Sequence, residues 1–553
     1  MGETVYATAE PGQGTAGSSA EEMTEPKETP LPKLQLFILL YLQLAEPIAS
    51  TVVYPFVNQL VRQTGITGGN DEKTGYFAGL IESSFYATEA VCILQWGRAS
   101  DRIGRKPVLL GGLLGLTLSM IGFGLSKHYW ALVLSRCAEG ALNGNIGVTK
   151  SMMAEITDST NRDRGFSYLP MIWCLGSTIG PVIGGVFAAP ATRWPGTFRS
   201  SNFWITYPYF LPCIIAACIS ISAFSMALLG LKETLPPSKR QRKSIGQSQG
   251  SQQAVASSPL PHRDWKCDLA SRDASGGNID PPSTAFEVLA EPESRIVTME
   301  VAEHPIDGGD RTVSDGHDKD KAIATFNVVD VEDGQLVAVT SIRSILIPRV
   351  LLPILNYGFL AFIDQSTVVL LPLMYSSPVS EGGLNMSSFT IGIIQGVAGV
   401  IGGVIQILTF AWMHRKFGTK RLYLTSFSCY LLCICAFPLL SLVTKRAGRV
   451  GVATWVLIVL QETAYSATLM TWGCIFMYIS DGAPNQAALG LTNGLAQTTA
   501  STARALAPSA ASSLFSVSLQ QHLASGALVY WILCAITAGG IVASLWLPTK
   551  LLS

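Results

Sequence analysis

The sequence predicts an all-α integral membrane fold with twelve transmembrane helices in two sets of six, and three observations predict it. Of 553 residues, 48% are hydrophobic and only 14% are charged, against about 25% charged in soluble domains. A bilayer core about 30 Å thick needs about 20 helical residues to cross, because in lipid every backbone N–H must find its partner within the helix; about twelve such runs stand along the chain. They fall into two groups of six, separated by a polar stretch over 232–344.

In order, residues 1–35 are rich in Gly, Ser, Thr, Glu and Pro and have no apolar run of their own. They read as a disordered cytosolic tail rather than a cleaved signal peptide. The N-terminal bundle, 36–231, holds runs at 36–56, 77–96, 107–126, 129–153, 166–189 and 203–231. The linker 232–344, with KRQRKSIGQSQGSQQ and DGGDRTVSDGHDKDKA, is too polar to bury a core and reads as disordered and cytosolic, with TFNVVDVED as a fragment able to form a local strand. The C-terminal bundle, 345–553, holds runs at 345–374, 388–412, 422–443, 451–480, 485–515 and 525–548 and ends in a short cytosolic tail. Several runs exceed the minimum, so tilted or interfacial ends are expected.

Orientation follows the positive-inside bias. With the N-terminus in the cytoplasm, the inner loops and linker carry Arg98, Arg102, Arg105, Lys106, Arg162, Arg164, Lys239, Arg240, Arg242, Lys243, Arg415, Lys416, Lys420 and Arg421. The outer loops hold Arg62, Lys73, Lys127, Arg193, Arg199 and an opposing trio, Lys445, Arg446 and Arg449. Both termini are therefore placed in the cytoplasm. The zero formal net charge argues nothing about nucleic acid, but no basic domain stands out to suggest it, and no nucleic-acid partner is expected. Ten of the eleven cysteines, such as Cys92, Cys137, Cys174, Cys433 and Cys474, lie in apolar runs; only Cys267 lies in a polar stretch. They read as small buried hydrophobes. No CxxC or Cys/His cluster indicates a metal site, no cofactor is implied, and no GxxxxGK[ST] phosphate loop supports ATP-driven chemistry.

WGRASDRIGRKP at 96–107 places five charges between two apolar runs. A helix ending at Gly97 and restarting after Pro107 would put Asp101 and the arginines at the water interface, where they can bridge neighbouring helix ends; the plain alternative is a topology anchor. The second half has a looser basic turn, HRKFGTKR at 414–421. The spacing of Gly97, Asp101, Gly104, Arg105 and Lys106 resembles the loop motif of the major facilitator superfamily, in which it latches the two halves together on the cytoplasmic side. SRCAEG at 135–140 resembles the family's fourth-span Arg motif. Gly176, Gly180, Pro181, Gly184 and Gly185 match its fifth-span antiporter motif. The resemblance covers about 430 residues, outside the tail and linker, and implies the major facilitator fold: two six-helix bundles around a central cavity that rock to give alternating access.

LAEPIASTVVYPFV, CAEGALNGNIGV and APNQAALGLTNGLAQTTASTARALAPS look like the zinc-induced-facilitator-like branch and its fungal relatives in the drug:proton antiporter group, as does the spacing of Ser167 and Gly176. Where plant members carry a histidine after the triplet Glu233-Thr234-Leu235, this chain has Pro236, and its linker holds only the widely spaced His262, His304 and His317.

Charged side chains inside spans cost at least about 2.5–3.5 kcal/mol on insertion scales, so they face a cavity or a partner. Glu46 on the first span is the leading candidate for proton carrier or substrate counter-charge; otherwise it hydrogen-bonds a neighbouring helix near the interface. Glu82 and Glu89, seven apart, share a face of the second span. Arg136 and Glu139, three apart, are close enough to pair, either as a structural tie or with Arg136 tuning a carboxylate that takes up and releases a proton. Asp364 is the corresponding acid of the second half or a polar contact where the seventh span bends. Arg504 is a lid or anion contact, or satisfies carbonyls at a helix break near Pro508. Glu462 on the tenth span is a further acid. Gly176, Gly180 and Gly184 make a groove for a close helix approach, and Pro181 bends the span. Tyr54, Tyr86, Trp173, Tyr357, Phe359 and Tyr465 are candidates for cavity lining, or else core or lipid-facing.

These readings lead to a secondary transporter, not an enzyme: a monomer in the plasma or vacuolar membrane whose partners are a small-molecule substrate, protons and the bilayer. The expected activity is proton-coupled antiport exporting a small organic molecule such as a drug, toxin or secondary metabolite. Efflux or vacuolar loading of a metal, potassium or a metal chelator is the alternative, and a non-transporting membrane sensor a second.

Overall fold

The computed structural model describes residues 29–158, 160–235, 328–332, 335–338, 346–484 and 486–549. Most of the tail and linker, including Cys267 and the linker histidines, lies outside them. The first half runs through α1 (Lys33–Thr51), α2 (Val57–Gln63), α3 (Thr74–Ile103), α4 (Arg105–Gly124), α5 (Tyr129–Leu142), α6 (Asn145–Ile156) and α7 (Arg162–Phe187). Three short helices follow, α8 (Pro190–Arg193), α9 (Pro195–Phe198) and α10 (Asn202–Thr206), and then α11 (Phe210–Gly230). An antiparallel hairpin, β1 (Val328–Glu332) with β2 (Gln335–Ala338), falls on the TFNVVDVED segment. The second half is α12 (Pro348–Ser376), α13 (Ser388–Ala447), α14 (Val452–Gly482), α15 (Gln486–Gln520) and α16 (Leu528–Ser544).

Six of these helices are long and apolar enough to cross a membrane unaided: α1, α4, α11, α12, α13 and α14. The long α13 is two spans, because Gly418 (φ 76°, ψ 162°) breaks it into arms at 388–417 and 419–447, a backbone geometry open to glycine and hostile to a Cβ. The helices α3, α7, α15, α16 and the pair α5–α6 complete the twelve. First and fourth spans are each interrupted. Pro55 has no N–H to extend α1, so the chain turns over 52–56 before α2 resumes; α5 and α6 part at Asn143–Gly144.

Two expectations are corrected. The second span does not end at Gly97: α3 continues to Ile103 and the reversal is Gly104 alone, at φ 111° and ψ 162°. Pro107 does not mark a restart after itself either, for α4 begins at Arg105 and takes Pro107 into its first turn, where the missing N–H would have no helical partner in any case. Likewise α15 runs unbroken through Pro508.

Each half has its own apolar core. Leu39, Ile48, Val52, Leu113, Met120, Met152 and Ala217 sit in the first; Tyr357, Leu370, Tyr423, Phe427, Phe437, Tyr478 and Leu533 in the second. Outside, Leu134, Leu229, Leu432, Val459 and Leu460 are exposed, as apolar side chains on lipid-facing helix surfaces must be.

Helices alternate in direction, so the first and last described residues, Thr29 and Thr549, lie at one end of the molecule, called here the terminal end. Between the halves, α3 packs on α15 and α7 on the first arm of α13. Many of the direct ties lie toward the end away from the termini. Ser388 Oγ donates to Gln59 Oε1 at 2.6 Å, Arg62 Nη1 to Ser376 O at 3.0 Å, and Ser509 N to Ser83 Oγ at 3.0 Å. Arg193 lies 3.4 Å from the centre of the Phe389 ring.

Candidate functional site

The first-half core encloses an ion cluster. Arg136, fully buried on α5, donates to Glu139 Oε2 and to Glu82 Oε2 of α3, both at 2.8 Å. Its Nη2 also reaches Ser50 O at 3.3 Å. That carbonyl is available because Tyr54 N, which a continued helix would direct to it, bonds Thr51 O instead. The Phe85 ring covers the guanidinium, 5.0 Å from Cζ to its centre. Among the described residues Glu82 Oε1 and Glu139 Oε1 have no hydrogen-bond partner, so one cation serves two carboxylates.

A second group lies beside it. Gln43 Nε2 donates to Glu46 Oε2 at 3.3 Å, and Asn143 Nδ2 to Glu89 Oε1 at 3.1 Å. Asn143 also serves Glu46, and the two carboxylates act on each other electrostatically. The α5–α6 break supplies this side chain. Lys150 of α6 is exposed, and both Glu46 of its own half and Arg504 of the other act electrostatically on its ammonium. The first half thus gathers Glu46, Glu82, Glu89 and Glu139 against Arg136 and Lys150, two carboxylates in excess.

From the second half, Arg504 stacks over Trp472 at 5.3 Å, beside Tyr357. Asp364 accepts from the hydroxyls of Tyr430 at 2.8 Å and Tyr465 at 3.2 Å. Gln365 donates to Tyr54 Oη across the halves at 3.3 Å, and Tyr54 Oη is 3.4 Å from Tyr86 Oη. Glu462 is buried, and its Oε1 has no partner among the described residues. Lys150, Asn143, Gln43 and Gln365 went unread in the sequence. Lys150 carried a signal, a lysine inside an apolar run; the amides carried none.

At the terminal end, the Arg105 guanidinium joins Asp101 at 2.7 Å, Ser100 Oγ at 2.6 Å and Glu155 of α6 at 3.0 Å. The Glu233 carboxylate, just past α11, accepts from the backbone N–H of Arg105 at 2.9 Å and of Lys106 at 3.1 Å, an anion at the positive end of α4. These ties bind α3, α4, α6 and the end of α11, all within the first half.

The fifth-span glycines face two neighbours. A Cβ on Gly176 would strike the Pro47 ring; on Gly180 it would strike Thr51 Oγ1 and come 2.9 Å from Ile48 O, and on Gly184 it would strike Val52 O. Gly185 instead faces the other half, where its Cβ would fall 2.7 Å from Gly392 Cα and 2.6 Å from Ser388 O. Hence α7 carries α1 on one face and abuts α13 on another. Among the described residues no three His, Cys, Asp or Glu side chains are grouped to hold a metal ion.

Two pseudo-equivalent bundles, a charged interior and this glycine face are the architecture in view, and the profile of the Major Facilitator Superfamily matches residues 39–508. The chain belongs to the Major Facilitator Superfamily. As a member it is a multi-pass membrane transporter of small molecules, not an enzyme. It is 30% identical over 539 residues to the major facilitator superfamily multidrug transporter mfsB of Aspergillus fumigatus, covering 93% of this chain and 83% of that protein. Against the major facilitator-type transporter psiT2 of Psilocybe cyanescens it is 30% identical, covering 94% and 90%. Protein ZINC INDUCED FACILITATOR-LIKE 1 of Arabidopsis thaliana is 23% identical, with 92% and 91% covered. Among solved structures, a D-xylose-proton symporter matches in fold at a TM-score of 0.60 with 12% identity, over 94% of this chain and 98% of that one.

Proposed function

We propose that this superfamily member is a proton-coupled antiporter that exports a small organic molecule by alternating access, with both termini in the cytoplasm of a plasma or vacuolar membrane. The observation that carries the reading is the excess of carboxylates over cations in the first-half interior. Buried charge without a partner is costly, so the cluster tends toward neutrality by holding either protons or a positively charged group. Glu46 and Glu89, which share Asn143, are the pair that exchanges the proton; Arg136 holds Glu82 and Glu139 and sets the field around them. Ties at the end away from the termini support an inward-facing arrangement, from which the bundles rock to open the opposite side. The names of relatives, a multidrug transporter among them, agree with export.

The test is substrate-induced proton flux in proteoliposomes, screening organic compounds beside zinc and potassium, with Glu46→Gln as the paired control. Proton movement driven by organic solutes and abolished by the substitution is the expected result. Movement driven by a metal or potassium alone, or organic transport indifferent to the proton gradient, overturns it.

A further inference from the structure

We infer that Thr29 is the acceptor of a proline-directed Ser/Thr kinase, and that its phosphate releases the strap of residues 29–32 from the turn between α6 and α7. The inference rests on the cytoplasmic placement of the termini and goes beyond the transport reading to its regulation.

The Thr29 hydroxyl ties this segment down. Its Oγ1 donates to Asp158 Oδ2 and accepts from Asn161 Nδ2 at 2.9 Å, with Thr160 Oγ1 at 3.1 Å. The Thr29 backbone adds an N–H that donates to Thr160 Oγ1 at 3.1 Å and a carbonyl that accepts from Asn161 Nδ2 at 3.1 Å. The turn is shaped by its own side chains: Thr160 N and Oγ1 donate to Asp158 Oδ1 at 2.8 and 2.6 Å, and Asp158 N donates to Asn161 Oδ1 at 3.0 Å. Leu31 seats the strap against the first-half core. Donation from the hydroxyls of Thr160 and Thr29 holds the exposed Asp158 carboxyl below its ordinary range, so it is ionised near neutral pH.

Three Ser/Thr-Pro pairs stand in the chain, Thr29-Pro30, Ser258-Pro259 and Ser377-Pro378. Ser377 is buried at the opposite end and Ser258 lies outside the described residues, whereas Thr29 is exposed at the terminal end. Pro30 and Pro32 bias Thr29 and Leu31 toward extended backbone, the form in which a kinase cleft receives its acceptor. In the transfer the bond from the γ-phosphorus of ATP to its bridging oxygen breaks, the Oγ1–P bond forms, ADP leaves, and the hydroxyl proton passes to the kinase's base. The product cannot dock as before. Its ester oxygen has no hydrogen for Asp158, three polar atoms already crowd it, and a group of charge about −1.5 to −2 meets an ionised carboxylate. The kinase captures the undocked strap, and the phosphate keeps it undocked. Asp158 follows Glu155 by three residues, and Glu155 holds Arg105 and Thr234, so the release acts beside the Arg105 cluster.

The whole chain, purified in detergent and incubated with a cyclin-dependent kinase and ATP, tests this. Phosphosite mapping should find Thr29 modified, and Pro30→Ala should abolish that site. Trypsin cleavage after Lys33 requires the strap and the first turn of α1 to open, so its rate reads the population of the undocked form. Thr29→Val removes the hydroxyl without adding charge and should speed cleavage by roughly three- to tenfold, the factor for one lost hydrogen bond; phosphorylation should exceed it, and Thr29→Ser should cleave at the unaltered rate. In Asp158→Asn the gap between phosphorylated and unphosphorylated protein should narrow. Absence of phosphate on Thr29, or cleavage unmoved by it, overturns the inference. Slowed cleavage overturns it too, by showing that Arg162 or Arg164 at the start of α7 holds the phosphate in place. Labelling of Thr29→Cys by a membrane-impermeant maleimide in intact cells overturns it by a separate route, since it removes the cytoplasmic placement, to which kinase action in detergent is blind.

Discussion

Lys106 and Lys420 hold equivalent places in the two halves. Each follows by two residues a glycine of positive φ, Gly104 at 111° and Gly418 at 76°. Each donates from Nζ to a carbonyl at the terminal end of the last span of its own half, Leu228 O at 2.8 Å and Leu545 O at 2.7 Å. A repeated device of this kind marks the halves as structural repeats, although the surrounding motifs, GRASDRIGRKP and HRKFGTKR, share little beyond the glycine and the lysine. Gly104→Ala and Gly418→Ala should each destabilise the fold by roughly 1–3 kcal/mol, the ordinary cost of forcing a Cβ into such a conformation. Thermal unfolding in detergent should show a lowered midpoint for both, and equal midpoints with the unaltered protein would contradict the argument.

Removing the cation from the buried cluster should cost more than removing a carboxylate with it. Arg136→Met leaves Glu82 and Glu139 facing each other without a partner, and breaking a buried pair in this way costs about 3–5 kcal/mol. The double substitution Arg136→Met, Glu82→Gln should recover part of the loss. The yield of monodisperse protein on size exclusion and the unfolding midpoint report both. Arg136→Lys should not rescue fully, because one ammonium cannot reproduce the fork that meets both carboxylates and Ser50 O.

At the end away from the termini, burial and the nearby Asp71 and Glu72 carboxylates push the Glu381 carboxyl above its ordinary range, with Arg62 and Lys445 opposing. The raised value belongs to the closed arrangement seen here, so protonation favours that arrangement: its extra stability is present at low pH and is lost as pH rises through the raised value. Spin labels at Lys73→Cys and Val379→Cys, on opposite halves, should therefore show a larger closed population as pH falls into that window. Glu381→Gln should flatten the dependence.

Arg62 is the strut of the same closure, since it joins Ser376 O of the other half while lying 3.6 Å from Asp71 of its own. Arg62→Gln should shift the same label pair toward longer distances at neutral pH, and unchanged distances would show that the helix packing alone holds this end shut.

Much of this was legible in the sequence. Twelve apolar runs split by a polar stretch predict the two bundles, because span length is fixed by bilayer thickness rather than by tertiary detail. The contact of Arg136 with Glu139 follows from helical spacing. Its contacts with Glu82 and with Ser50 O do not, since they depend on which spans neighbour one another and on where α1 unwinds. The end of α3 was misplaced at Gly97 because glycine alone does not stop a helix; at Gly104 the chain actually takes the left-handed turn. Asn143 was invisible for a similar reason: an amide becomes a shared donor only once α5 breaks beside two carboxylates.

The contact between Gly185 and Gly392 has a genetic consequence. Where a large residue meets a small one, damage on one side can be relieved by trimming the other. Here both facing positions already carry a hydrogen atom, and the atoms an added methyl would meet at Gly185 are backbone, Gly392 Cα and Ser388 O. A lesion at either position has no reciprocal suppressor at its partner, so revertants should arise only by restoring glycine or by displacing a whole helix through changes elsewhere.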